Sequence, residues 1–86
     1  MEQITYTIKD PDGVHARPAG ALIQCAGKCK SDITLHANGK SIKLKGGIFA
    51  LMGLGIRSGT PITLDIEGED EKEASGLLLK CLEDNL

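Results

Sequence analysis

The chain has 86 residues, 41% hydrophobic and 26% charged, with a formal charge of −2, and this predicts one ordinary globular domain over 1–86 rather than a disordered chain. With no Trp, one Tyr, one Phe and ten scattered basic residues, the core must be aliphatic and nucleic acid is excluded as a partner. The start Met1-Glu2-Gln3-Ile4-Thr5 lacks the basic and apolar stretches of a signal peptide. The longest apolar run, 46–56, is too short and Gly-rich for a span of roughly 20 residues, so a cytoplasmic protein with no membrane contact is expected.

In chain order, Ile4, Tyr6 and Ile8 alternate with Thr5, Thr7 and Lys9, the pattern of a strand with one buried and one wet face. Asp10-Pro11-Asp12-Gly13 closes it as a turn. Ala19, Leu22, Ile23, Ala26 and Cys29 then follow the spacing of one apolar helix face. Ile33, Leu35 and Ala37 form a second alternating set, and Ile42 and Leu44 a third. Asn38-Gly39 between them is a hairpin signal. A short helix is expected over 48–54, between Gly46-Gly47 and Gly55. Ile62, Leu64 and Ile66 make a fourth strand. Ala74, Leu77, Leu78 and Cys81 line a last helix, with Asp70 as N-cap acceptor and Glu73 as N3 carboxylate. Gly76 inside it costs about 1 kcal/mol against Ala. The order β-α-β-β-α-β-α, with amphipathic helices on one face of a half-polar sheet, predicts an open two-layer α+β fold. Periodicity does not separate its strand order from a ferredoxin-like one.

Chemistry concentrates at the start of the first helix. Pro18 belongs in a first helical turn, where its missing N–H has no intrahelical partner. A helix beginning at Ala16 makes His15 its N-cap and leaves the amides of Ala16 and Arg17 facing outward. Those amides, the helix dipole and the Arg17 guanidinium favour a doubly charged oxyanion. Neutral imidazole is a nucleophile near neutral pH, and its N–P bond is labile. His15 and Arg17 are therefore the candidate catalytic residues, with Ala16 and Arg17 as phosphate-binding ones. No Mg²⁺ cage or nucleotide loop is visible, so no cofactor is called for and the donor is expected to be another protein.

Three cysteines without a C-x-x-C pair read as free thiols in a reducing compartment. Cys25 and Cys29, four apart, could hold a metal with His15 or His36. Such spacings arise readily by chance and His36 faces outward, so no metal is expected. The acidic run Glu67-Gly68-Glu69-Asp70-Glu71 reads as a loop and a helix start. A partner closing over His15 needs an accessible apolar flank. Ile48, Phe49 and Met52 are the candidates, with Gly20 and Gln24 from the first helix. Phe49 leads, because a helix facing a sheet buries only one stripe; Ile48 and Met52 stay open to a reading as core.

Gly13-Val14-His15-Ala16-Arg17-Pro18-Ala19 closely resembles the active-site signature of HPr, the histidine-containing phosphocarrier of the bacterial sugar phosphotransferase system. Length, element order, Asn38-Gly39-Lys40, Leu54-Gly55-Ile56 and Gly68-Glu69-Asp70-Glu71 extend the resemblance over nearly the whole chain. It implies an open-faced β-sandwich, a four-stranded antiparallel sheet with three helices on one face. It also implies phosphorylation of His15 on Nδ1 by phospho-enzyme I, drawing on phosphoenolpyruvate, and donation to IIA domains of sugar permeases. Arg17 would help hold the phosphoryl group, and the segment around Phe49 would be the docking patch. Such a protein is a stoichiometric intermediate rather than an enzyme, and a monomer is expected. The chain departs from the pattern where many relatives from low-GC Gram-positive bacteria carry a regulatory serine. Gly46 or Gly47 stands there, in a segment that reads one residue longer, and neither has a hydroxyl. Regulatory phosphorylation is therefore expected to be absent, Ser41 and Ser58 being the remote alternatives. Gly20 is also unusual, in place of a small residue with a β-carbon. A regulatory binding module of the same fold, or a carrier for a nitrogen-related or dihydroxyacetone kinase relay, would carry much the same sequence.

Overall fold

A computed structural model describes residues 1–14 and 16–86. Its elements are β1 (Glu2–Thr7), α1 (Ala16–Gly27), β2 (Asp32–Ala37), β3 (Lys40–Lys43), a 3-10 turn (Leu44–Gly46), α2 (Ile48–Met52), β4 (Pro61–Glu67) and α3 (Glu71–Asn85). The four strands form one antiparallel sheet in the order β1-β4-β2-β3. The last strand inserts between the first two, which settles the order that periodicity left open. Register follows the alternating patterns: Ile4 stands opposite Leu64, and Leu64 opposite Leu35, so the apolar sets of three strands share one face. The hairpin turn is as expected, with positive φ at both Asn38 (53°) and Gly39 (75°).

Helices cover only the apolar face. Ala19, Leu22 and Ala26 of α1 and Ala74, Leu78 and Leu82 of α3 are buried with Ile33, Leu35, Ile62, Leu64 and Ile66 of the sheet. The opposite face is polar, and there Asp65 accepts from Gln3 Nε2 at 2.7 Å and meets His36 Nε2 at 2.7 Å.

Four local expectations are corrected. The helix expected over 48–54 ends at Met52: the Gly53 amide makes the last helical bond, to the Phe49 carbonyl at 3.0 Å, and Leu54 and Gly55 then close tighter turns on Leu51 (3.2 Å) and Met52 (3.3 Å). Cys29 lies beyond α1, which closes through bonds from Lys28 to Cys25 and from Cys29 to Ala26; the two cysteines thus do not share a helix. In α3, Leu77 is exposed and Leu82 takes its place inside. Asp70 occupies the N-cap position without a side-chain cap bond. Its carboxylate instead accepts the amides of Lys30 (2.8 Å) and Ser31 (2.9 Å) and the Ser31 hydroxyl, tying the α1–β2 loop to the start of α3. Those bonds, the Ser31 hydroxyl foremost, hold the Asp70 carboxyl below the usual carboxylate range.

Candidate functional site

The peptide before α1 is anchored mainly by backbone bonds. Gly13 N–H closes the turn onto Asp10 at 2.9 Å, and the Asp12 amide bonds the Asp10 carboxylate at 2.8 Å. Val14 N–H then donates to the Ile56 carbonyl at 3.1 Å. Behind this loop, the amides of Lys9 and Asp10 both reach the Leu86 carbonyl. The approach at Gly13 is so close that a β-carbon there would lie 2.6 Å from the Ile56 carbonyl oxygen and 2.8 Å from Arg57 Cα, at a φ of +68° that L residues rarely adopt. Only glycine lets the two backbones meet.

This brace was not legible in the sequence. Its second part is Asn38 at the hairpin tip, whose Nδ2 donates to the Leu54 carbonyl at 2.9 Å. The β2–β3 turn thus steadies the 54–56 segment, which in turn holds Val14. Asn38-Gly39 signals a turn in any chain; nothing in its spacing says that the amide side chain reaches 16 residues onward.

On the other side, α1 begins at Ala16 as expected, with Pro18 buried in its first turn and Ala16 and Arg17 exposed. The first amides of a helix have no intrahelical acceptor, and no acidic residue occupies this turn. Among the described residues, that first turn of α1 carries no negative charge to oppose an arriving anion. The reading of His15 as N-cap and phosphoryl acceptor falls outside the described residues. Its two chain neighbours are both placed, Val14 by Ile56 and Ala16 by the helix.

The expected partner surface divides in two. Phe49 is 87% exposed and Met52 42%. Ile48 is half-buried against the core, whereas Leu51 of the same helix is fully buried. Ile48 thus serves both layers, and Met52 is not core. On α1, Gln24 is exposed and Gly20 half-buried, with open space where a Gly20 β-carbon would stand. Ala16, Gly20 and Gln24 are spaced by four and so share one helix face, and α2 packs against α1. Gly46 and Gly47 flank the start of α2; Gly47 has a φ of +116°, and a β-carbon at Gly46 would meet nothing. Ser41 and Ser58 are exposed. Among the described residues, no helix is long and apolar enough to cross a membrane.

The chain matches the family described as the PTS HPr component phosphorylation site over residues 2–84. Among solved structures it is similar to a mycoplasma histidine-containing phosphocarrier protein, at 36% identity and a TM-score of 0.91, covering 96% of this chain and 93% of that one. It is similar to the phosphocarrier protein HPr of Bacillus anthracis at 32% identity and a TM-score of 0.85, covering 94% and 95%. Crh, the catabolite repression protein of Bacillus subtilis, matches at 35% identity and a TM-score of 0.75, covering 100% and 98%. With its open four-stranded antiparallel sheet and three helices, the chain belongs to the HPr family of phosphocarriers of the phosphotransferase system.

Proposed function

We propose that the chain relays phosphoryl groups between proteins: His15 accepts one from phospho-enzyme I and passes it to IIA domains of sugar permeases. The observation that carries this is the acid-free first turn of α1, with Arg17 exposed and the preceding peptide held on Ile56. In this reading the amides of Ala16 and Arg17 receive the phosphoryl oxygens, and the Arg17 guanidinium neutralises charge as it arrives. Phe49 and Met52, with Ile48, Gly20 and Gln24, form the surface that a partner closes over the reacting imidazole. Excluding water there favours transfer over hydrolysis. The chain acts as a single carrier domain, a cytoplasmic monomer with no turnover of its own.

Incubation with enzyme I and phosphoenolpyruvate, followed by intact mass, tests the relay. One acid-labile phosphoryl group is expected, absent from His15→Ala. No gain with any enzyme I would remove the proposal and favour a regulatory binding module. That second reading is supported by the likeness to Crh, whose identity to this chain is nearly that of the mycoplasma phosphocarrier. The presence of His15 and the glycines at 46 and 47 argue for the relay.

A further inference from the structure

The cleft between α1 and α3 contains two thiols for which phosphoryl transfer has no use. Cys25 on α1 is half-buried and Cys81 on α3 is buried. Both line one opening of about 260 Å³, together with Leu77, Lys80, Asp84 and Asn85. Cys29 is placed differently. It lies past the end of α1, donates its S–H to the Cys25 carbonyl at 3.3 Å and does not reach this cleft. The sequence spacing pairs Cys25 with Cys29; the fold pairs Cys25 with Cys81.

The two thiols differ in environment. Asn85 Nδ2 donates to the Cys81 carbonyl at 2.9 Å and lies 3.7 Å from the Cys81 sulfur, fixing that side chain at the cleft floor. Burial first, and then the adjoining Cys25 side chain, pushes the Cys81 thiol up to about 12. Cys81 is therefore a protonated, sheltered thiol, and Cys25 is the sulfur that a reagent entering the cleft meets first.

We propose that Cys25 and Cys81 form a thiol–disulfide exchange site that takes a low-molecular-weight disulfide and closes a covalent bond between α1 and α3. In the first step Cys25 gives its proton to solvent, and the thiolate attacks one sulfur of the small disulfide. That S–S bond breaks, a small thiolate leaves and takes a proton from water, and Cys25 carries a mixed disulfide. Cys81 then loses its proton to solvent and attacks the Cys25 sulfur, displacing the second small thiolate, which takes a proton from water in turn. Two protein thiols are oxidised and one small disulfide is reduced to two thiols. The bond ties the helix that begins beside His15 to the C-terminal helix.

The test uses oxidised glutathione on the reduced, folded chain, followed by alkylation of remaining thiols and peptide mapping. The expected product has lost about 2 Da before alkylation, carries the alkyl group on Cys29 alone and yields a Cys25–Cys81 linked peptide. Cys81→Ser should stop at the glutathione adduct on Cys25, and Cys25→Ser should give neither adduct nor internal bond. Closing so long a loop should raise the melting temperature by roughly 20 °C. Linkage through Cys29, a covalent dimer, an adduct on the unsubstituted chain that never resolves, or no reaction would overturn the proposal. None of these outcomes depends on whether His15 is phosphorylated.

Discussion

Truncating Phe49 and its near neighbour Leu51 separates a docking role from a structural one within a single five-residue helix. Phe49 is 87% exposed and Leu51 fully buried. Fully burying a Phe side chain is worth about 1.5–3 kcal/mol. With 87% of the residue still open, a partner that covers it completely gains about 1.3–2.6 kcal/mol, roughly 10- to 80-fold in affinity. Phe49→Ala should therefore raise the KM for phosphoryl transfer from enzyme I by about that factor. It should leave stability within about 0.5 kcal/mol, since little packing is lost. Leu51→Ala should do the reverse at the level of the fold, costing about 2–5 kcal/mol through an unfilled cavity. Urea unfolding supplies both stabilities, and initial rates at varied carrier concentration supply KM. The reasoning is refuted if Phe49→Ala destabilises the chain by more than about 1 kcal/mol while KM stays put, for then this ring serves the fold and not a partner.

Gly13→Ala should lose about 1–3 kcal/mol, because its β-carbon would collide with backbone at Ile56 and Arg57. Urea unfolding with the wild-type midpoint retained would show that the brace yields. Gly20→Ala and Gly76→Ala should each gain about 0.5–1 kcal/mol, since both sit in helices with open space where the methyl would go. Asp70 titrates below its ordinary value, so its contribution is complete above the unfolded pKa near 4 and disappears as pH falls through the lower folded value. Melting temperatures measured from pH 7 to 2 should fall less steeply below pH 4 for Asp70→Asn than for the wild type.

What could be read from the residues, and what could not, divides by the range of the interaction. Alternation in Ile33, Leu35 and Ala37 or in Ile62, Leu64 and Ile66 reports a half-buried strand wherever it occurs, and all six are buried. Pro18 and Asn38-Gly39 encode local backbone geometry and were equally legible. Asp70 shows the limit. Its place before an amphipathic run predicts a cap, yet the carboxylate turns to Ser31, 39 residues away. The three groups that Asp70 satisfies lie on the α1–β2 loop, and no sequence period records that juxtaposition. Leu77 is exposed, and Leu82 buried, for a related reason. Both fit a helical stripe, and only the position of α1 beside α3 selects which edge of that stripe is covered.

The candidate site depends on this same separation of ranges. A five-residue helix cannot hold itself together in water, because nucleation alone outweighs so few hydrogen bonds. α2 persists because Leu51 fills the core and Ile48 leans on it. Phe49, which faces outward, takes almost no part in that anchoring, and Met52 is partly covered. On the proposed docking role, substitution at Phe49 should change which partner fits while leaving the sheet, α1 and α3 undisturbed. The loop before α1 behaves oppositely: Gly13 meets the Ile56–Arg57 backbone with no room for a β-carbon, and Val14 is tied to Ile56 by a backbone hydrogen bond, so a side chain added at Gly13 must displace the peptide that leads into α1. A carrier that must meet several proteins through one reacting group needs both properties. The peptide that presents the group must be rigid, and the surface beside it must be free to vary without cost to the fold.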